Sequence, residues 1–115
     1  MPLVLVVDDD EDVRPAVVAL LESMGHRVMS AAGGAEALAI IEREPLDVLV
    51  TDVVMPGMSG YQLAERARQI RPDLPIVCMT GFSLLAAERP GCSVVLRKPF
   101  RAAELKAAIS GLAGA

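Results

Sequence analysis

Residues 3–7 read LVLVV, and the acids DDD follow at once at residues 8–10. A strand with one face in water alternates apolar and polar residues, whereas a strand buried on both faces is apolar at successive positions. The run IVCM at residues 76–79 has the same continuous apolar character. These runs therefore predict a parallel sheet that is covered on both sides.

Short apolar runs of this kind alternate five times with segments of helical periodicity. Strands are predicted at Leu3–Val7, Arg27–Ala31, Val48–Thr51, Ile76–Thr80 and Ser93–Leu96. Helices are predicted from Asp10–Asp12 to Gly25, over Ala35–Glu44, from Ser59 to just before Pro72, over Ser83–Arg89 and over Ala102–Leu112. The acids at 10–12 are expected in the first helical turn, where they favour the helix dipole. Five βα units in this order predict a doubly wound α/β fold.

Length and charge exclude several classes of protein. The chain has 115 residues and is predicted to form one domain over residues 1–115. The net charge is -4, and the basic residues are scattered among acids, so direct nucleic-acid binding is not expected. The apolar start is too short for a membrane span or a signal-peptide core. We therefore expect a cytoplasmic domain without membrane insertion.

The two cysteines are expected to be reduced. Cys78 lies in the apolar run of residues 76–79 and is predicted to be a small core residue, and Cys92 follows Gly91 in a predicted loop. Neither their spacing nor additional Cys or His residues support a disulfide or a metal site. Reduced thiols fit the cytoplasmic location.

Polar residues follow four of the predicted strands. The acids of residues 8–10 follow the first strand, Asp52 follows the third, Thr80 ends the fourth and Lys98 follows the fifth. Ligands of open α/β sheets bind beyond the carboxyl ends of the strands. Carboxylates, a hydroxyl and an ammonium at one edge form a plausible magnesium and phosphoryl site, since hard divalent cations prefer oxygen ligands.

Four segments in order resemble the receiver domain of two-component response regulators over essentially the whole chain. They are LVVDDDEDVR at 5–14, VLVTDVVMPGMSG at 48–60, IVCMTG at 76–81 and LRKPF at 96–100. Each segment is a weak signal alone, but each stands at the end of a predicted strand. The resemblance implies a flavodoxin-like (βα)5 fold with strand order 2-1-3-4-5.

The resemblance implies a metal site. Asp8 and Asp9 match the acidic pair that positions Mg²⁺, one of them largely through water, and Mn²⁺ is the alternative ion. Asp52 and the backbone carbonyl of Val54 match the remaining protein ligands. A cation here would let carboxylates from separate strands coexist.

The resemblance also implies phosphoryl chemistry. Asp52 matches the phosphoacceptor, and its donor would be the phosphohistidine of a histidine kinase or of a histidine phosphotransfer domain. Thr80 matches the hydroxyl that bonds the phosphoryl oxygens, and Lys98 matches the lysine that pairs with Asp52 or its phosphate. Pro99 matches a proline that often follows a cis bond. Such a domain catalyses its own phosphorylation and dephosphorylation and is not a conventional turnover enzyme.

Two departures from the family pattern concern output. Val95 stands where many members carry Tyr or Phe, so an aromatic rotamer switch is not expected. The helix predicted over Ser83–Arg89 is about one turn shorter than usual in the family. These features put output through that face in doubt and suggest a relay element, such as the receiver of a hybrid sensor kinase.

Other interpretations account for parts of the pattern. Taken singly, the acids at 8–10 would be a solvated helix start and Asp52 a turn residue. A hydrolase of the haloacid dehalogenase type needs a second acid two residues after its nucleophile, where this chain has Val54. A binding module independent of phosphorylation would not need the complete set of matching residues. The joint pattern favours a phosphoacceptor.

Overall fold

One sheet of five parallel strands organises the chain. The computed structural model describes residues 2–80, 92–97 and 101–113. Its strands are β1 (Leu3–Val7), β2 (Arg27–Ala31), β3 (Val48–Asp52), β4 (Ile76–Thr80) and β5 (Val94–Arg97). The helices within the described ranges are α1 (Val13–Ser23), α2 (Gly34–Arg43), α3 (Gly60–Ile70) and α4 (Ala102–Ala113). The strand order is β2-β1-β3-β4-β5, which confirms the predicted fold class.

The three inner strands are buried at every position, as their continuous apolar runs predict. Successive β1 side chains enter different cores: Leu5 packs with Leu63 of α3 on one face, and Val6 packs with Leu21 of α1 and Ile109 of α4 on the other. The outer strands β2 and β5 are only partly buried. The sheet is therefore rigid at its centre, where the strand ends carry the candidate site. None of the described helices is long and apolar enough to span a membrane.

Most predicted boundaries hold to within a residue or two. Strands β1, β2 and β4 have the predicted bounds, β3 extends one residue further to Asp52, and β5 is shifted by one residue. Helix α2 begins at Gly34 instead of Ala35 and ends at Arg43 instead of Glu44. The helix predicted over 83–89 lies outside the described residues.

The start of α1 corrects one prediction. The helix begins at Val13, and its first turn contains no acidic residue. The acids form the turn ahead of it, where the Asp10 carboxylate accepts hydrogen bonds from the backbone N–H groups of Asp12 at 2.8 Å and Val13 at 3.0 Å. An aspartate side chain that bonds nearby N–H groups favours a turn over a helix interior, so the helix starts later. Gly25, with φ of +92°, follows the helix end as predicted.

The two cysteines contradict the expectation of reduced thiols. Cys78 and Cys92 form a disulfide, with their Cα atoms 6.0 Å apart. The Ser93 N–H donates to the Ile76 carbonyl oxygen at 2.8 Å, and this hydrogen bond brings the neighbouring Cys92 beside β4. Their spacing of 14 residues along the chain does not reveal this tertiary return.

Helix α3 begins after Ser59, close to the predicted start, and Ser59 is its N-cap. The Ser59 hydroxyl accepts from the Gln62 backbone N–H, and the Gln62 side chain accepts from the Ser59 backbone N–H at 2.9 Å. This capping box satisfies two of the N–H groups that a helix start leaves without partners. It also fixes where the loop after β3 turns into helix.

We expect Ser59→Ala to lower the free energy of unfolding by about 1 kcal/mol, because the side-chain acceptor of the cap is lost. Ser59→Thr, which keeps a hydroxyl, should retain most of the stability. Urea denaturation of the three proteins measures the difference. Equal midpoints for wild type and Ser59→Ala would show that the cap does not stabilise the helix.

Candidate functional site

The register between β1 and β3 brings two aspartates side by side. Val7 lies opposite Thr51 in the parallel ladder, so the next residues, Asp8 and Asp52, leave the sheet as neighbours. Asp9 follows Asp8, and carboxylate oxygens of all three aspartates lie within 4.8 Å of one another. The structure therefore brings together the acidic residues that the sequence assigned to a metal.

Burial makes this cluster costly without a counterion. Asp8 is fully buried and Asp52 is 8% exposed, whereas Asp9 is exposed to solvent. Adjacent carboxylates repel each other, and burial removes the water that would screen them. A divalent cation would offset both effects, and the donor set of carboxylate oxygens suits a hard ion such as Mg²⁺.

The segment after β1 holds Asp8 in place through two hydrogen bonds. The Asp8 carboxylate accepts from the Asp10 N–H at 2.9 Å, and the Asp8 carbonyl oxygen accepts from Nη1 of Arg14 at 2.9 Å. The Nη2 group of Arg14 pairs with Glu11. Arg14 thus ties the first turn of α1 to the end of β1. Sequence reasoning did not single out Arg14, although its place in the segment at 5–14 marked it as a residue of the matching motif.

Thr80 reaches the same edge from the other side of β3. Met79 lies opposite Asp52 in the ladder, so Thr80 stands one position beyond Asp52 on the adjacent strand. Thr80 is 1% exposed and lies opposite Arg97 of β5. Lys98 and Pro99 follow Arg97 and lie outside the described residues. Their assigned roles, including the cis bond before Pro99, stay predictions.

The segment after β3 forms a turn that returns to Asp52. The Val53 N–H donates to the Met79 carbonyl at 2.9 Å, and the Gly60 N–H donates to the Val53 carbonyl at 2.8 Å. The Val54 side chain is 54% exposed. The ligand role assigned to the Val54 carbonyl also stays a prediction, since it depends on the backbone oxygen and not on this side chain.

Gly60, the first residue of α3, lies against the main chain of Asp52 and Val53. A Cβ atom built on Gly60 would overlap the Asp52 carbonyl oxygen and stand 2.8 Å from the Val53 Cα. The same Asp52 carbonyl accepts from the buried Thr51 hydroxyl at 3.0 Å. Neither Thr51 nor Gly60 was predicted as a site residue. The sequence marks Gly60 only as the residue that follows the N-cap of α3. Its close approach to Asp52 is visible only in the folded structure.

We expect Gly60→Ala to lower the free energy of unfolding by about 1–3 kcal/mol, because the new methyl group meets backbone atoms that cannot move independently. Gly33→Ala is the matched control, since a Cβ there meets nothing within 4 Å. Urea denaturation of both variants measures the effect. A Gly60→Ala variant as stable as the Gly33→Ala variant would contradict the close approach.

Comparison with known proteins gives one consistent result. The family model described as the response regulator receiver domain matches residues 4–110. The response regulator receiver protein CpdR of Brucella abortus is 40% identical over 109 residues, which are 91% of each chain. The sensor histidine kinase RcsC of Salmonella typhimurium is 37% identical over 90 residues, 78% of this chain and 9% of that protein. Similar sequences thus occur both as short proteins and within much longer ones.

Solved structures agree with the sequence comparison. The response regulator TrrA of Thermotoga maritima, in complex with Mg²⁺–BeF, superposes with a TM-score of 0.92 at 29% identity, covering 97% of this chain and 99% of that chain. The receiver domain of the sensor histidine kinase PA1611 from Pseudomonas aeruginosa, with magnesium in its active-site cleft, gives 0.90 at 27% identity, covering 99% and 98%.

Proposed function

Because the chain belongs to the response regulator receiver family of two-component systems, we propose that Asp52 accepts a phosphoryl group from a phosphohistidine. The donor is a histidine kinase or a histidine phosphotransfer domain. The observation that carries this proposal is the placement of Asp52 at the buried end of β3, with its carboxylate within 4.8 Å of those of Asp8 and Asp9. The same geometry supports one receiver domain over residues 1–115.

The transfer replaces one bond to phosphorus by another. A carboxylate oxygen of Asp52 attacks the phosphorus atom, the bond from phosphorus to the imidazole nitrogen breaks, and that nitrogen keeps the electron pair and takes up a proton. The attacking carboxylate and the phosphoryl group are both negative, so catalysis consists mainly of positioning and charge compensation. Thr80 donates its hydroxyl proton to a phosphoryl oxygen, and Lys98 supplies positive charge.

The acidic residues would hold Mg²⁺, with Mn²⁺ as the alternative ion. Its ligands would be Asp8, Asp9, Asp52 and the Val54 carbonyl, and the bound ion would neutralise phosphoryl oxygens. Two features support this assignment: the grouping of the three carboxylates and the burial of Asp8 and Asp52. Asp9, which is exposed, is suited to contact the ion through water.

Phosphorylation would then change the charge at the end of β3. The modified side chain gains about one to two negative charges and strong acceptor oxygens. Thr80 and Lys98 can follow these oxygens, which would bias the adjoining loops between two arrangements. Val95, which is only partly buried on β5, offers no aromatic ring to report this change.

We expect incubation with acetyl phosphate and Mg²⁺ to add one phosphoryl group to the wild-type protein, detected by intact-mass analysis. Asp52→Ala and excess EDTA should both abolish the gain. Asp73→Ala is the matched control, because Asp73 is an exposed aspartate that precedes β4 at the opposite end of the sheet. An unmodified wild-type protein, or modification that persists in Asp52→Ala, would contradict the proposal.

Arg14 provides a second test, because its two possible effects on Mg²⁺ have opposite signs. As a nearby positive charge it would repel the ion, so Arg14→Gln would tighten binding. As the donor that holds the Asp8 carbonyl, it positions the ligands, so we expect Arg14→Gln to weaken Mg²⁺ binding by about tenfold, equivalent to about 1.4 kcal/mol for one charge-assisted hydrogen bond.

Calorimetric Mg²⁺ titration measures this effect on the folded proteins. Arg43→Gln is the control, since the Arg43 side chain is 60% exposed at the last turn of α2. Tighter binding by Arg14→Gln than by wild type would show that only the charge of Arg14 acts on the site.

A further inference from the structure

The disulfide joins an inner strand of the sheet to the residue ahead of an outer strand. Cys78 is fully buried within β4, and Cys92 is only partly buried, two residues before β5. Cys92 is thus the less buried partner, so we expect a thiol in solution to approach the bond at Cys92 and not at Cys78. Accessibility to thiols is one of the properties that decide whether a disulfide exchanges.

We propose that the Cys78–Cys92 pair is a redox modification site, which dithiol reductants open and peroxide closes while the domain stays folded. Neither the phosphoryl chemistry proposed for Asp52 nor the group of three carboxylates proposed to bind a cation uses these two sulfur atoms. The proposal therefore stands independently of phosphoryl transfer.

The environment of Cys78 is compatible with both the disulfide and the free thiol. Its side chain belongs to the apolar cluster between the sheet and the α2–α3 layer, together with Leu49, Leu63 and Ile76. A free cysteine behaves there as a small hydrophobic residue, so reduction leaves no unsatisfied strong polar group.

The start of β5 keeps other attachments when the disulfide opens. The Ser93 N–H donates to the Ile76 carbonyl at 2.8 Å. The Ser93 hydroxyl accepts from the Ile76 N–H at 3.1 Å and from Nη2 of Arg68 at 2.9 Å. These three hydrogen bonds hold residue 93 beside β4 without the covalent link, so we expect the reduced chain to keep its fold.

Reduction proceeds by two exchanges. A thiolate of the dithiol attacks Sγ of Cys92, the sulfur–sulfur bond breaks, and Cys78 leaves as a thiolate that takes up a proton. The second thiol of the reductant then attacks the mixed disulfide, releases Cys92 as a thiol and leaves the reductant as a disulfide. Two electrons thus pass from the dithiol to the protein.

Oxidation by peroxide restores the bond. The Cys92 thiolate attacks one peroxide oxygen and forms a sulfenic acid, releasing hydroxide. The Cys78 thiol then attacks the Cys92 sulfur, the sulfur–oxygen bond breaks, and water leaves. Both electrons go to peroxide, and no further reactant is needed.

The oxidation state sets how firmly β5 is held. Among the described strands β5 is the last of the sheet, it pairs with β4 alone, and it is only partly buried. A covalent link two residues ahead of it limits the separation of the two strands and so disfavours local opening. The oxidised protein should therefore protect the β5 amides better than the reduced protein.

Alkylation under native conditions tests the site. Oxidised wild type should take up no N-ethylmaleimide. After dithiothreitol without denaturant, intact mass should show one adduct, mapped by peptide digestion to Cys92. A second adduct, on buried Cys78, should appear only when denaturant is added. Subsequent peroxide treatment of reduced, unalkylated protein should restore the unreactive form.

Amide hydrogen exchange gives an independent measurement. We expect exchange across Val94–Arg97 to be about tenfold faster, or more, in the reduced protein, because the covalent restraint on local opening is lost. Cys92→Ser should match reduced wild type with or without peroxide, and circular dichroism should show all forms folded.

Two results would overturn the inference. One is a disulfide that dithiothreitol reduces only in denaturant, which would make the bond purely structural. The other is a Cys92 thiol that still reacts with N-ethylmaleimide after peroxide treatment of the folded, reduced protein. Neither result would alter the phosphorylation of Asp52, so this inference and the proposed function can fail separately.

Discussion

The pairing of β1 with β3 sets the central constraint on this molecule. Their register places Asp8 and Asp52, both buried, at adjacent strand ends, where their carboxylates repel each other. A fold selected for stability alone would not place two carboxylates side by side at these positions; it would have apolar residues or only one charged residue there. The surrounding contacts, from Arg14 to the Asp8 carbonyl and from Thr51 to the Asp52 carbonyl, hold the main chain of both acids. These contacts fix the main chain beside the two carboxylates, whose grouping with that of Asp9 suits a divalent cation.

The sheet supplies this arrangement because its inner strands have no solvent-exposed face. Two separate apolar cores pack against β1, β3 and β4 from opposite faces of the sheet. A slip in strand register would therefore disrupt the packing of both cores at once. Chemistry is confined to the strand ends, where the chain leaves these cores. This division explains why a rigid scaffold can carry a cluster of like charges without losing its register.

The sequence predicted the parts of the fold whose signals are local. Strands β1 and β4 had correct bounds because each is an apolar run that gives way to polar or small residues, Asp8 after β1 and Thr80–Gly81 at the end of β4. The start of α3 was correct because Ser59 is a residue type that commonly caps helix N-termini, whereas the part played by Gln62 emerged only from the structure. The grouping of Asp8, Asp9 and Asp52 followed from parallel strand ends. The start of α1 was placed early because the acids were assigned to the helix dipole, whereas Asp10 bonds to backbone N–H groups ahead of the helix.

Long-range features were beyond such reasoning. The bond between Cys78 and Cys92 depends on the return of residue 93 to β4, and the contact of Gly60 with Asp52 depends on the path of a turn. Arg14 has the appearance of an ordinary helix residue until its guanidinium is seen on the Asp8 carbonyl. In each case the spacing of the two residues along the chain does not indicate that they are close in the folded protein.

The absence of a side chain at Gly60 has a mechanical consequence. With no Cβ between them, the first turn of α3 rests directly on the peptide group of Asp52, and the Gly60 N–H is bonded to the neighbouring carbonyl. No side chain lies between the two backbones whose torsion angles could adjust to a displacement. A shift of the Asp52 main chain by a fraction of an ångström would therefore be transmitted to the helix as a whole, so that a movement at the end of β3 would tilt α3.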